Sequence, residues 1–391
     1  MKIQIGNVKR ANKIFTGDGG YPLVLASVGA SSVDDAAVVE VKKAQIAQKY
    51  GADIVIDHTL TPANYEVQKR IIEETDVMVS SIAVYDMAAK ARYGEKNYFS
   101  AAEAVKGVEE KAKLGIDMMT VHAAVLKRDF EFFNNNNRII PCTSRGGTMV
   151  LENIRTTGSE NFYYTHFDEI LEIAKAYGVT LSLGTTYRPS NIFDAVKENS
   201  AYWMEINRNA ELVRRAREKG VSCIVEGIGH CPINLIPEIV KESIRICRAP
   251  YRVLTVATDC GLGFDHVSSA IAASTAVMAG ADFVTAVSRS EHLGLPTPED
   301  LKEAVISAKI AAHCGYIART GDLKYDRAMA EKRSELGCRG GIEASVVPEL
   351  TKEAIKEHKL GEGKKCTMCG EFCALFSSDR LTKENERINK D

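Results

Sequence analysis

The chain has 391 residues, 45% of them hydrophobic, and its 50 basic and 52 acidic residues leave a net charge of -2. That length and apolar content provide for one large core and a small appendage, hence one or two domains. The even charge balance carries no nucleic-acid stripe and no polybasic membrane anchor, so neither nucleic acid nor membrane is expected as a partner.

Residues Met1 to Asn12 are mixed polar and charged. Neither they nor any other stretch holds an apolar run of signal-peptide length or the roughly 20 apolar residues of a membrane span, which predicts a cytoplasmic protein. There, cysteines serve as thiols or metal ligands rather than as disulfides. Residues 1–20 read as an N-terminal extension.

From Tyr21 onward short apolar runs alternate with amphipathic stretches. The runs are Leu23 to Val28, Ile54 to Asp57, Val77 to Ala83, Met118 to His122, Leu181 to Gly184, Cys223 to Gly227, Val253 to Ala257 and Phe283 to Val287. They are continuously apolar, as strands buried on both faces must be. Between them Asp34 to Tyr50, Phe167 to Tyr177, Asn207 to Lys219, Ile236 to Cys247, Val267 to Ala279 and Pro298 to Cys314 predict crossover helices, several stopped by glycine, as at Leu114-Gly115 and Tyr177-Gly178. Eight such units predict an α/β fold, a (β/α)8 TIM barrel over residues 21–320, with an open doubly wound sheet as the alternative.

One connection is abnormal: about 40 residues follow the fourth strand before a clear helix, including Asn134 to Asn137 and Ser144-Arg145-Gly146-Gly147, which reads as a long functional loop. Beyond the barrel, charged Lys324 to Leu336 and helical Lys352 to Lys359 make a helical linker region over residues 321–360. A Gly361-Glu362-Gly363 linker then opens a cysteine-bearing segment and charged tail over residues 361–391.

In such a barrel, catalytic groups sit just past the C-terminal ends of the strands. Ser27, Asp57-His58, Tyr85, His122, Arg188, Glu226 with His230, Asp259 with Asp265 and His266, and Glu291-His292 all fall there. Five of the eight histidines thus gather at one rim. Any one of them has a structural reading as a hydrogen-bonded core histidine; as a set, with carboxylates, they suit zinc or iron(II) with open positions. Asp57, Asp259, Asp265 and Glu291 are acid or base candidates, or structural carboxylates that cap a helix or hold a histidine. Ser144-Arg145-Gly146-Gly147 offers a guanidinium beside unshielded backbone N–H groups, a combination that binds phosphate, with Arg188 as a second cation. The alternative is a mobile loop with a solvated arginine.

Seven cysteines are dispersed; only Cys366, Cys369 and Cys373 cluster. Three thiolates can hold three irons of a [4Fe–4S] cluster and leave the fourth open to an external ligand, which suits S-adenosylmethionine. A zinc knuckle completed by Cys338 or His358 is an alternative, although no fourth ligand lies at the usual short spacing. A redox pair at Cys366 and Cys369 would leave Cys373 unexplained.

Several segments together resemble the phosphomethylpyrimidine synthase superfamily, which includes the 5-hydroxybenzimidazole synthases. They include Thr120-Val-His122, Ser144-Arg-Gly-Gly147, Val225-Glu226-Gly-Ile-Gly-His230-Cys-Pro232, Gly263-Phe-Asp-His266, Ser290-Glu-His292-Leu-Gly-Leu-Pro296 and Cys366-Thr-Met-Cys369-Gly, in a match from about Leu23 to Cys373. The resemblance implies a TIM barrel with a small C-terminal iron–sulfur domain on a mobile linker, in a homodimer whose cluster domain reaches the partner's active site. It implies a radical S-adenosylmethionine enzyme acting on 5-aminoimidazole ribonucleotide, with an external electron donor such as flavodoxin or ferredoxin and an anaerobic host. Position by position, it implies that Cys366, Cys369 and Cys373 hold the cluster and that His230 and His292 bind a divalent metal, zinc or iron, at the barrel mouth. Glu226 would be the catalytic group against the imidazole. Tyr85, His122, Ser144, Arg145, Gly146 and Arg188 would bind the nucleotide, with Ser27, Ile56, Thr185 and Tyr251 completing the substrate set.

The chain departs from the pyrimidine synthases where the ring and ribose are expected. Ser27 replaces an asparagine and Ile56 a methionine, Asp57-His58-Thr59-Leu60-Thr61 replaces Asp-Leu-Ser-Thr-Gly, and Thr185-Thr186-Tyr187-Arg188 keeps only the arginine of Asp-Gly-Leu-Arg. The last two cysteines are also one residue closer than in many of them. A retained substrate with an altered rearrangement fits that pattern and favours 5-hydroxybenzimidazole, the lower ligand of anaerobic cobamides, over the thiamin pyrimidine. Outside the class stand a metal-dependent aldolase on the same barrel and a zinc-stabilised binding protein without catalysis.

Overall fold

The computed structural model describes residues 2–29, 36–94, 96–135, 137–197, 200–336, 341–358, 368–375, 377–378 and 380–382. The chain divides into two compact units, Met1–Thr320 and Gly321–Asp391.

The first unit opens with an antiparallel hairpin, β1 (Ile3–Ile5) and β2 (Ile14–Thr16). Eight parallel strands then close into a barrel: β3 (Leu23–Val28), β4 (Ile54–Asp57), β5 (Met78–Ile82), β6 (Met118–Val121), β7 (Thr180–Leu183), β8 (Cys223–Glu226), β9 (Tyr251–Val253) and β10 (Phe283–Ala286). β10 pairs with β3 to complete the ring. Each strand is buried on both faces, one inside the barrel and one under the helices, which is why the sequence runs are continuously apolar. This is an α/β (β/α)8 TIM barrel.

Strand alternation sorts the side chains. Leu23, Leu25, Ile54, Ile56, Met78, Met118, Ile224 and Phe283 form one interior cluster, and Ile3 and Ile5 of the hairpin pack into it. The N-terminal extension is therefore the stopper at the barrel's base. Burial of each isoleucine contributes about 1.5–3 kcal/mol, and polar ties hold the stopper. Asp117 accepts from Asn7 N at 2.8 Å, Arg10 Nε at 3.0 Å and Val79 N at 2.8 Å, and the Asn7 amide donates to Ala112 O and Ile116 O.

Two expectations need correction. The seventh barrel strand is not Val253–Ala257 but Tyr251–Val253, because the register pairs Tyr251 with Val225 and Arg252 with both Glu226 and Phe283. A charge inside an apolar run conceals that strand in the sequence. The long connection after β6 is not a loop: it holds helices Phe130–Asn135, Arg145–Thr157 and Phe162–Thr165 ahead of Phe167–Tyr177. Their turn and cap chemistry hides them, since Ser144 caps the second and Asn161 the third through their side chains. The glycine stops after Leu114 and Tyr177 are left-handed caps, with φ of 116° at Gly115 and 68° at Gly178.

The second unit contributes helices Lys324–Leu336 and Pro348–Glu357 and a single 3-10 turn, Gly370–Phe372, flanked by Cys369 and Cys373. Cys366, Cys338 and the Gly361–Gly363 linker lie outside the described residues. Among the described residues no helix is long and apolar enough to cross a membrane.

Candidate active site

The barrel interior turns from apolar at the base to polar at the C-terminal end. On β4, Ile56 closes the apolar cluster and His58 follows on the same face; on β6, Met118 gives way to Thr120 and His122; on β8, Ile224 gives way to Glu226. Alternation thus brings His58, Thr120, His122, Glu226 and Arg252 into one cavity of ≈ 210 Å³. Tyr85, Ser144, Arg145, Gly146, Arg188, His230, Glu291 and His292 complete its polar lining.

His122 is fixed by its neighbours. Its Nε2 lies 2.8 Å from Ser144 Oγ, which also accepts from Gly147 N as the helix cap. The imidazole is pressed between two glycines: a Cβ on Gly146 would stand 2.5 Å from His122 Cε1, and one on Gly184 2.5 Å from His122 Cδ2. Burial, reinforced by Arg188 and Arg252, lowers the pKa of His122 to about 4, and burial with the positive charge of Arg145 and Arg252 lowers that of His58 to about 3. Both rings are neutral at physiological pH, able to donate or accept but not to carry charge. Burial raises the Tyr85 phenol to about 12, so it stays protonated, and Arg145 lies over its ring at 5.8 Å.

Glu226 sits between two guanidiniums, with Arg252 Nη1 2.9 Å and Arg188 Nη1 3.6 Å from its oxygens. Burial pushes its pKa up, but Arg252 and Arg188 outweigh burial and hold the carboxyl below its ordinary range. Arg188 is placed by a tight turn: its Nη1 donates to Thr185 O at 2.6 Å, while Glu205 accepts from Thr186 N and Tyr187 N at 2.7 Å each.

His230 and His292 stand with ring centroids 5.1 Å apart. Asp259 Oδ1 lies 2.5 Å from His230 Nδ1 and Asp265 Oδ1 3.2 Å from His292 Nδ1, an arrangement that orients each ring and leaves Nε2 as the nitrogen open to a metal. Two such imidazoles fit a divalent ion completed by non-protein ligands; no group of three or more His, Cys, Asp or Glu suited to a metal forms among the described residues. Cys369 is exposed and Cys373 half-buried, both free thiols at the two ends of one turn, which fits ligation of a single cluster.

Ser27 lines an adjoining cavity, which shares His58, Arg145, Arg252, Leu254 and Glu291 with the first. Three expected substrate contacts do not reach either. Ile56 belongs to the apolar layer below, Thr185 turns its hydroxyl to Glu226 O at 2.6 Å, and Tyr251, neighbouring inward-facing Arg252, points outward to meet Tyr202 Oη at 2.6 Å. His266 stacks on Phe264 outside the lining, so four rather than five histidines meet. Asp57 is spent on Thr59 and Gln68, the structural reading. Arg252 is the functional candidate that sequence reasoning missed; a lone arginine in an apolar run, one place after a tyrosine, was the available signal.

A sequence model described as "Radical SAM ThiC family" matches residues 3–380. Relatives named phosphomethylpyrimidine synthase include those of Geobacter metallireducens, 36% identical over 382 residues (95% of this chain, 87% of that protein), and Methanocaldococcus jannaschii, 36% identical over 384 residues (96% and 90%). The relative of that name from Archaeoglobus fulgidus is 38% identical over 371 residues, 92% of this chain and 84% of that protein.

Proposed function

Because the chain belongs to the radical SAM ThiC family, we propose that it binds 5-aminoimidazole ribonucleotide in the barrel cavity and rebuilds it by radical chemistry. The observation that carries this reading is a set of buried polar atoms around one cavity without hydrogen-bond partners: His58 Nε2, Thr120 Oγ1, His122 Nδ1 and Arg252 Nη1. Unmade hydrogen bonds are costly in a folded protein unless a ligand completes them.

In this reading Ser144, Arg145, Gly146 and Arg188 take the phosphate, and Tyr85 and His122 orient the nucleotide. Glu226, held ionised, accepts a hydrogen bond from the aminoimidazole. Ser27 borders the adjoining cavity. His230 and His292 would hold a divalent zinc or iron ion, and Cys366, Cys369 and Cys373 a [4Fe–4S] cluster on the segment after residue 360, with residues 321–360 as its linker. When bound, cluster and S-adenosylmethionine supply a carbon-centred radical that removes hydrogen from the sugar. The barrel residues position that sugar and exclude water from it. The working protein would be a cytoplasmic homodimer served by a flavodoxin- or ferredoxin-type donor.

The relatives' name supports a pyrimidine phosphate as product ahead of the 5-hydroxybenzimidazole favoured by the motif departures. The benzimidazole remains the second reading because His58, one of those departures, lines the cavity itself. Anaerobic incubation of reduced protein with S-adenosylmethionine and aminoimidazole ribonucleotide, followed by mass analysis, separates the two products. A colourless protein with stoichiometric zinc, no iron or sulfide and neither product would sink both.

A further inference from the structure

The helix Ala36–Lys49 buries two opposite charges where a helix that covers a barrel strand ordinarily presents apolar side chains. Glu40 and Lys43 are 0% and 1% exposed, one turn apart, with Lys43 Nζ 2.7 Å from Glu40 Oε1. Mutual attraction rarely offsets the desolvation of such a pair. Its reason lies in what each partner reaches on its other side.

Glu40 Oε2 accepts from Gly29 N at 2.5 Å, just past the end of β3. Gly29 is a rigid anchor: its φ is 116°, and a Cβ there would stand 2.4 Å from Thr59 N. Lys43 Nζ donates to Pro296 O at 3.2 Å, in loop 288–296 after β10. Proline has no N–H, so its carbonyl is the backbone group by which that point of the loop can be held. β3 and β10 are the neighbours that close the barrel, and the pair clips together the loops that follow them.

The loop is one that needs holding. It is exposed from Glu291 to Leu295, and its backbone hydrogen bonds close on itself, from Leu293 N and Gly294 N to Ser290 O at 2.9 Å each. Yet it carries His292 to its place beside His230, and Gly294, Leu295 and Pro296 wall the adjoining cavity of ≈ 470 Å³. Asp265 holds the His292 ring; Lys43 holds the backbone four residues on.

We propose that Lys43 is a positioning residue: through its buried pair with Glu40 it straps loop 288–296 to the barrel, keeps the wall of the adjoining cavity in place and fixes where His292 stands. The consequence for a metal rests on the reading of His230 and His292 above; the strap itself does not.

Amide hydrogen exchange and Zn2+ titration of the full chain test this. Glu40→Gln combined with Lys43→Met removes both charges, so that neither is stranded; it keeps an acceptor for Gly29 N and loses the donor to Pro296. Exchange at Leu293 and Gly294 should quicken by about 5- to 10-fold, while Asn7 and Val79 at the barrel's base stay within about 2-fold of wild type. Zn2+ affinity, read as the part of the isotherm that His292→Ala abolishes, should fall by about 10-fold. Should the double variant fail to fold, the wild type still decides. Its Leu293 and Gly294 should exchange at least about 10-fold more slowly than Phe264, whose amide closes the neighbouring exposed turn on Gly261. Equal rates there, unchanged loop exchange in the variant, or an equal rise at the base would overturn the strap. Quicker loop exchange with unaltered Zn2+ affinity would overturn its hold on His292. A wild type without His292-dependent Zn2+ binding would sink the metal reading alone, since the exchange measurement needs no metal.

Discussion

The two ends of the barrel each bury a carboxylate beside arginine, with opposite results. At the base, Asp117 meets one guanidinium, Arg10, and two backbone N–H donors, and burial still leaves its pKa raised. At the mouth, Glu226 meets two guanidiniums, and they overcome burial to leave its pKa lowered. The base is a closed account of charge and hydrogen bonds. The mouth sets two guanidiniums against one buried carboxylate and leaves several buried polar atoms without a hydrogen-bond partner. A structural site is complete without a ligand; a binding site is complete only with one.

The sharpest way to break that comparison is at the base. Asp117→Ala takes the carboxylate from half-buried Arg10, which keeps Ile72 O and Val77 O as acceptors, and leaves the N–H groups of Asn7 and Val79 without theirs; it should cost about 2–4 kcal/mol of stability in denaturant unfolding while leaving nucleotide affinity unchanged. A large affinity loss in a folded variant would mean that the two ends are not independent.

Next comes the mouth's geometry. Gly146→Ala places a methyl group 2.5 Å from His122 Cε1, so the ring must leave its position beside Ser144. The expected cost is about 1–3 kcal/mol of stability, with at least about a 10-fold loss of nucleotide affinity. Wild-type affinity in this variant would show that His122 does not touch the ligand.

Much of this contrast was legible in the sequence, for physical reasons. Interior strands must be apolar on both faces, so seven of the barrel strands announce themselves, and chain direction then puts His58, His122, Glu226 and His230 at one rim. What escaped was what alternation and capping decide. Arg252 interrupts β9 and so displaced the expected start of that strand by two residues; the same parity turns Tyr251 outward. Ser144 and Asn161 begin helices through side-chain caps, which reads in sequence as a polar loop. The hairpin's role as a stopper was equally hidden, since Ile3 and Ile5 are too few to suggest burial without the barrel above them.

Acid should separate the two ends as well. An imidazole whose folded pKa lies below the unfolded value of 6.5 takes up a proton more readily when unfolded, so stability is intact above pH 6.5 and falls as pH drops toward the folded value, about 4 for His122. Glu226, lowered from 4.5, adds a loss only below that value. Wild type should therefore lose up to about 1.4 kcal/mol per pH unit through each of His122 and His58 between pH 6 and 5, and His122→Gln should remove about half of that slope. An unchanged slope would remove the buried neutral imidazole from the account.

The smallest effect reads the contrast most directly, because it changes sign. Thr180 and Thr120 lie on the neighbouring strands β7 and β6, both buried. Thr180, at the base, donates its hydroxyl to Gln4 O at 3.2 Å; Thr120, on the cavity wall, has an unpartnered Oγ1. Valine has nearly the same shape, so the substitution tests the hydroxyl alone. Thr180→Val should destabilise the ligand-free protein by about 1 kcal/mol, whereas Thr120→Val should stabilise it by about as much, since an unsatisfied buried hydroxyl disappears. Saturating ribonucleotide should erase or reverse the gain at Thr120, because only the bound state gives that hydroxyl a partner. Equal destabilisation by both substitutions, with and without ligand, would mean that the mouth is as complete as the base and that its polar wall serves the fold rather than a substrate.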